Sequence, residues 1–428
     1  MKENKSYFKS VSLLTIGSIV SVLFLLVQHL LLPFIFTPEE LGIKSVIIAV
    51  PSAFIAMLCG RYDLCLVYED DEENIPGLLK LNLNVNLVLS SIATAVTFLY
   101  FVFFKQECIK YWYLLPAIWV YFIAYGLSLI LNSYNNRYKE YGMIAKMHAI
   151  RVAAQCLGTI VLGLIFVFWL KWTFLSVPIL VVPYCVGMAV GLRSQGKGVL
   201  QRKKEIKETC RSKVVDIAKK HIRQPLLSAP AIFANSFSYS LITIMTNGLY
   251  DDATTGYYSL SITLLGLPIS LIAGNMSKVY MRDATAEYEE TGGFKKSFNK
   301  NLLVLTALAV PMFFAMFFLA PPICVWVFGN KWLIAGQYIK ALALMFSFRF
   351  VSTALSPGLY VCKKQIAELL VQVSFVIVTA LSGLFAFVFG WSAIVFLWVM
   401  GFARSAVMLV QVILVCYYSR CNIKKDPA

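Results

Sequence analysis

Long apolar runs alternate with short polar gaps along the whole chain. Runs of about 20 residues or more, enough to cross a bilayer, fall near 10–36, 42–67, 77–104, 112–134, 143–170 and 173–192. A second set falls near 224–249, 256–280, 301–328, 336–360, 366–389 and 391–418. Between the sets lies one long polar interruption, Arg193 to Arg223, with eleven Lys and Arg against three Glu and Asp. The pattern predicts an all-α integral membrane protein of twelve transmembrane helices in two six-helix lobes. Residues 1–192 form the N-terminal lobe, 193–223 a basic cytoplasmic connector, and 224–428 the C-terminal lobe with a short cytoplasmic tail.

The gaps on the predicted outer side, such as TPEE, LKWT, DDATT and GWS, are too short for a soluble catalytic domain. Composition agrees with a polytopic membrane protein: 59% of residues are hydrophobic and only 14% charged, against roughly 25% charged in soluble domains. The net charge of +16 does not indicate nucleic acid, because the basic residues are spread over alternating loops rather than gathered on one face. Read by the positive-inside rule, they set orientation and place both termini in the cytoplasm. Lys2, Lys5 and Lys9 before the first run resemble a signal peptide, but that run is too long for one and predicts a retained helix. The acidic block Glu69, Asp70, Asp71, Glu72 and Glu73 reads as a solvated loop.

Ten cysteines occur without C-x-x-C spacing, mostly inside apolar runs, so neither a disulfide framework nor a metal site is expected. Cys108 and Cys324 are the one conceivable pair.

The chain carries an internal repeat. GIKSVIIAVPSAFIAMLCG (Gly42 to Gly60) aligns without a gap on GYYSLSITLLGLPISLIAG (Gly256 to Gly274), at an offset of 214 residues. Each half holds an even number of spans, so the two copies should run in the same direction, a parallel repeat about an axis along the membrane normal. A central cavity between the lobes is the expected substrate site.

Ionisable residues within spans are costly and point to function. Arg349 and Arg404 lie near the middle of the tenth and twelfth runs, and Arg61 toward the inner end of the second. An arginine cannot shed its proton, so each must meet water, a carboxylate, backbone carbonyls or an anionic ligand. Two readings stand: a structural arginine satisfied by its neighbours, or a fork that binds phosphate or pyrophosphate. The acids at depth, Asp63 and Glu368, and the lone His29 are candidates for ion coupling. Gln28, Asn235 and Asn247 are candidates to line the cavity, with interhelical hydrogen bonding as the alternative. The fragment GLRSQGKG (Gly191 to Gly198) mimics a phosphate-binding loop but has Gly198 where Ser or Thr is needed, and it follows a membrane helix rather than a strand. No arrangement suited to bond-making chemistry appears, so the chain is expected to be no enzyme and to need no cofactor.

Several stretches together carry a family resemblance: FTPEELGIKS (Phe36 to Ser45), GRYDLCLVYEDD (Gly60 to Asp71), TTGYYSLSITLLGLPISLIAGNMSKVYMRDA (Thr254 to Ala284) and FGNKWLIAGQYIKALA (Phe328 to Ala343). The chain resembles the polysaccharide flippases of the multidrug/oligosaccharidyl-lipid/polysaccharide exporter superfamily, which move O-antigen-type or capsular repeat units. The resemblance spans nearly the whole chain, through loose patterns. It implies alternating access and an undecaprenyl-pyrophosphate-linked oligosaccharide carried from the inner to the outer leaflet of the bacterial cytoplasmic membrane. Membrane lipids, a polysaccharide polymerase and chain-length machinery would be its partners. Only Arg61 and Asp63 fall on a family motif, the Arg-Tyr-Asp element; Arg349 and Arg404 rest on depth alone.

Three rivals differ in what they require. A multidrug antiporter of the same superfamily would want a membrane carboxylate for organic cations, and the first and seventh runs have none. A peptidoglycan-precursor flippase would share the anion logic but is expected to carry more than twelve helices. A polytopic glycosyltransferase or polysaccharide polymerase would need a sizeable outer loop or acidic motif, toward which only Asp251 and Asp252 point.

Overall fold

The computed structural model describes residues 20–69, 71–103, 111–193, 195, 197–362 and 364–420. The expectations attached to Lys2, Lys5, Lys9, Asp70 and Cys108 lie outside these residues. Within them every regular element is helical. Eleven helices are long and apolar enough to cross a membrane, and a shorter apolar helix, α1 (Val20–Ile35), lies where the first predicted span falls. The chain divides into two compact units between Ser240 and Leu241.

The first unit contains α2 (Pro38–Phe54), α3 (Cys65–Tyr68), α4 (Ile75–Phe103), α5 (Leu115–Arg137), α6 (Tyr141–Leu162) and α7 (Ser176–Arg193). Three short helices follow in the connector: α8 (Lys197–Gln201), α9 (Lys203–Glu208) and α10 (Arg211–Lys220). The division then falls inside α11 (Ala229–Leu249). The first part of α11 packs on unit one, with Phe233 5.2 Å from the Phe54 ring and the Ser240 hydroxyl 2.9 Å from that of Ser52.

The second unit contains α12 (Asp252–Pro268), α13 (Gly274–Thr291), α14 (Lys295–Phe314), α15 (Ala320–Phe328), α16 (Leu333–Leu355), α17 (Pro357–Val361), α18 (Gln365–Phe389) and α19 (Ala393–Arg420). Its axis is α16. The span containing it has 67% of its apolar window buried, against 11% for the span Lys295–Phe328. Mean hydropathy runs the other way, 1.4 for the buried span and 2.5 for Lys295–Phe328, as expected where lipid tails solvate the most apolar helix.

The sequence repeat survives in the backbone down to the helix caps. α2 starts at Pro38 behind Thr37, whose hydroxyl accepts from the Glu40 amide while the Glu40 carboxylate accepts from the Thr37 amide. At the same offset α12 starts at Asp252 behind Asp251, whose carboxylate accepts from the Thr254 amide. Each cap satisfies an amide that the first helical turn leaves without an intrahelical acceptor.

The copies then diverge, and here the structure corrects the sequence reading. Residues 42–67 read as one uninterrupted span, but the α-helix ends at Phe54. Gly60 and Arg61 take left-handed backbone angles, φ +56° and +64°, which stops the i to i−4 ladder. The equivalent Gly274 stays right-handed, at φ −63°, and the helix passes through a π-helical turn, Ile269–Ala273, into α13. The resulting stretch Asp252–Thr291 has 40 residues, about 60 Å at helical rise, so its polar end outruns a hydrocarbon core of about 30 Å. Three of the four π segments among the described residues contain a proline or begin within four residues after one: Pro225, Pro268 and Pro311. Proline removes an amide donor and pushes on the carbonyl four residues back, which opens the turn.

Candidate substrate-handling site

In unit one, the break between α2 and α3 projects Arg61 and Asp63 from a tight turn. The Gly60 amide donates to Met57 O at 2.7 Å and the Tyr62 amide to Cys59 O at 3.0 Å. A non-glycine residue in the left-handed region costs about 1–3 kcal/mol, so the surroundings must hold it. Cys59, Tyr62, Cys65 and Leu66 pack into one apolar cluster with Leu78 and Leu79 of α4, Tyr134 of α5 and Ile217 of α10. The Tyr62 hydroxyl also donates to Ala218 O at 3.3 Å. Asp63 is buried. Burial raises its pKa above the ordinary carboxylate value, and the Arg61 cation and the amides of Asp63 and Leu64 pull it back down. Arg61 Nε and Asp63 Oδ1 are both buried without a hydrogen-bond partner among the described residues.

Of the acidic block, Asp71, Glu72 and Glu73 are exposed, as a solvated loop requires, but Glu69 is buried. The Glu69 side chain is only 2% exposed; its Oε1 accepts from Lys220 Nζ at 2.6 Å and its Oε2 lies 2.8 Å from His221 Nε2. Asn74 Nδ2 donates to Oε1 as well, at 3.2 Å. Burial alone would raise this carboxyl, but the bonds from Lys220, Asn74 and His221 outweigh it and hold the pKa at about 2. Next to it, Glu72 accepts from Arg137 Nε at 3.0 Å and Nη2 at 2.9 Å, and from the Tyr138 hydroxyl at 2.8 Å. Arg202 reaches the same carboxylate at 3.3 Å, and Arg137 also donates to the carbonyls of Leu66 and Glu69. Glu69 is therefore paired with the connector, and Glu72 with Arg137 and Tyr138 at the α5–α6 turn and with Arg202 of the connector. Lys80 Nζ adds bonds to Thr209 O at 2.7 Å and Lys207 O at 3.3 Å. The connector is thereby docked on unit one rather than strung past it.

In unit two, the predicted residues Arg404 and Glu368 belong to a polar seam shared by α16, α18 and α19, and Arg349 lies on α16 one turn from its Ser352. Arg404 is fully buried; its Nη1 donates to Thr379 Oγ1 at 2.7 Å, and its guanidinium lies 4.9 Å from the Phe375 ring centre. Glu368, also buried, accepts from the amides of Gln372 and Gln411, and the Ser352 hydroxyl donates to Gln411 Oε1 at 2.5 Å. Glu368, Gln372, Phe375 and Thr379 follow a three- and four-residue rhythm that puts them on one face of α18. Arg349 is half-buried one turn before Ser352 on α16, with its guanidinium 5.3 Å from the Phe346 ring centre.

The other candidates fall elsewhere. Gln28 and His29 are neighbours on α1; Gln28 is buried and accepts from the Cys156 thiol at 3.0 Å. Asn235 and Asn247 are three turns apart on α11. Asn247 is engaged at the turn into α12, donating to Asp252 Oδ1 at 2.7 Å and Thr255 Oγ1 at 3.2 Å. Sequence reasoning missed Glu69, Lys220, His221, Gln372, Thr379 and Gln411. The one available signal was an acidic block in a chain whose connector is strongly basic.

Residues 31–337 match the family described as polysaccharide biosynthesis protein. No curated protein matches the chain by sequence. Among solved structures, the chain is similar to the lipid II flippase MurJ in an inward closed conformation, with a TM-score of 0.74 and 16% identity over 96% of this chain and 87% of that one. It is similar to a MOP superfamily transporter from Pyrococcus furiosus, with a TM-score of 0.60 and 15% identity over 96% and 95% of the two chains. An inward-facing MATE family multidrug resistance transporter gives a TM-score of 0.58 and 14% identity over 95% and 92%. These likenesses establish an all-helical fold shared with those structures, and the sequence match over most of the chain establishes the family: the chain belongs to the polysaccharide biosynthesis protein family.

Proposed function

We propose that the protein is a flippase that carries undecaprenyl-pyrophosphate-linked oligosaccharide repeat units from the inner to the outer leaflet of the bacterial cytoplasmic membrane by alternating access, making and breaking no bonds. The observation that carries this reading is a polysaccharide biosynthesis family match on a chain that shares its fold with a lipid II flippase over nearly its full length. The chemistry of the seam supports it. Arg349 and Arg404 place guanidinium charge in membrane-spanning helices, where an anionic head group recovers part of the desolvation cost. In this proposal they neutralise the pyrophosphate in unit two, while Arg61 does so in unit one. Asp63, Glu368 and His29 are the proposed coupling groups. Both termini face the cytoplasm, and a polymerase with chain-length machinery receives the product.

The test is surface glycan in cells carrying Arg349→Ala, Arg404→Ala and the double variant. Each should lower glycan display about tenfold or more, a loss of about 1.4 kcal/mol in transition-state binding, with membrane levels of the protein unchanged. Undiminished display in all three would overturn the anion-site reading. A second reading, export of organic cations, is favoured by one observation: the MATE-like fold contains a buried carboxyl, Glu368, hydrogen-bonded to two amides. It predicts drug resistance that disappears in Glu368→Gln while glycan display stays normal.

A further inference from the structure

Helix α10 is held on two sides by unit one and leaves a third side uncovered. Val214 and Ile217 are buried with Ile75, Leu78 and Leu79 at the start of α4, so closely that a Cβ on Gly77 would stand 2.5 Å from Ile217 Cδ1. Lys213 and Lys220 meet the acidic block, at 4.0 Å from Glu73 and 2.6 Å from Glu69. The remaining flank carries Arg211, Val215 and Lys219, spaced by four on one helix face, and runs on into Ile222 and Arg223; all five are exposed. Val215 and Ile222 are 43% and 45% exposed. Arg211, Lys219 and Arg223 make no ion pair among the described residues.

Two independent lengths put this flank at a membrane surface. The span containing α4 has 32 residues, about 48 Å at helical rise against about 30 Å of hydrocarbon, which leaves turns at its ends for the headgroup layers; α10 packs on its first turns. The next span starts at Gln224, four residues after Lys220, so the end of α10 is at most about 14 Å from that start. There Leu226 and Leu227, 64% and 38% exposed, continue the apolar part of the flank toward lipid. Composition selects the occupant. Cations alternating with single apolar side chains suit a headgroup layer, where the apolar groups reach the acyl boundary and the charges stay among phosphates. The core of a protein interface is instead depleted of charge, Lys above all. Asp216 lies off this flank, toward Lys213 and Lys220, so nothing on it offsets three cations that favour anionic over zwitterionic headgroups.

We propose that the uncovered flank of α10 rests on the bilayer and binds anionic phospholipid headgroups through Arg211, Lys219 and Arg223. The inference goes beyond the flippase reading and does not depend on what is carried. It gives the connector a second attachment, with one side docked on unit one and another on lipid.

The experiment uses the full chain in nanodiscs of equal parts phosphatidylcholine and phosphatidylglycerol, with photoreactive p-benzoylphenylalanine in place of Val215, Ile222, Asp216 or Leu226. Lipid adducts are read by intact mass after illumination. Leu226, inside a span, is the positive control, and Asp216, on the neighbouring flank, the negative one. Val215 and Ile222 should capture lipid, with phosphatidylglycerol ahead of phosphatidylcholine about fivefold or more, the factor one basic residue supplies near an anionic surface. Combining Arg211→Gln, Lys219→Gln and Arg223→Gln should return that ratio to the bilayer's own without lowering the melting temperature, since none of the three has an ion pair to lose. Adducts at Leu226 but at neither Val215 nor Ile222 would overturn the proposal, as would adducts at Asp216 as abundant as theirs. Equal capture of the two lipids by the otherwise wild-type chain, or a ratio unchanged in the triple variant, would overturn the assignment to anionic headgroups.

Discussion

Lys220 Nζ and Glu69 Oε1, 151 residues apart in sequence, meet at 2.6 Å, and with His221 they fasten the connector to the first unit. The Glu69 carboxyl is held at about 2, below its ordinary value of 4.5. A depressed folded-state value means that its contribution is complete above about pH 4.5 and is lost as pH falls toward 2. Melting temperature in detergent should therefore drop over that window, and Glu69→Gln should flatten the drop. Because Lys220 is 55% exposed and partly screened, the loss at neutral pH should be about 1–2 kcal/mol. An unchanged acid profile in Glu69→Gln would show that the clamp does not contribute.

Arg61 separates backbone from charge. Arg61→Gly relieves a left-handed non-glycine residue and should leave stability unchanged or raise it by up to about 1 kcal/mol. Removal of the guanidinium should still lower transport. Parallel thermal unfolding and flux measurements decide this; a variant both destabilised and active would reverse the assignment.

The paired caps of the repeat should carry similar weight. Thr37→Ala and Asp251→Ala should each cost about 1 kcal/mol. The two sites share no partner, so the double variant should show the sum within about 0.5 kcal/mol. Denaturant titration in micelles reads both.

Thr379 supplies the hydroxyl that accepts from Arg404 Nη1. Thr379→Val keeps the shape and removes that acceptor, and should cost about 1–3 kcal/mol. Thr379→Ser keeps the oxygen and should recover most of the loss in the same unfolding assay.

Much of this was legible in the sequence. Apolar runs located the spans, because length against bilayer thickness is a property of composition alone. The alignment of Gly42–Gly60 on Gly256–Gly274 extends in the structure to the helix caps at Thr37 and Asp251. The break at Gly60 was hidden because residues on both sides are equally apolar, and hydropathy does not register a change in backbone handedness. Glu69 was misread for a different reason. A block of like charges looks hydrated until its counter-charges are known, and Lys220 and His221 arrive from about 150 residues away. The arginines within apolar runs were visible as costly residues, but Thr379 as the partner of Arg404, and Gln411 as a partner of Glu368, came into view only when α18 and α19 were packed together.

The most direct measurement is translocation of a fluorescent lipid-linked oligosaccharide in proteoliposomes containing the purified wild-type chain, Arg349→Ala or Arg404→Ala. The account predicts protein-dependent movement across the bilayer with wild type and at least about a tenfold slower rate in each variant, at equal reconstitution. Equal rates in all three, or no movement above empty liposomes with wild type, would contradict it.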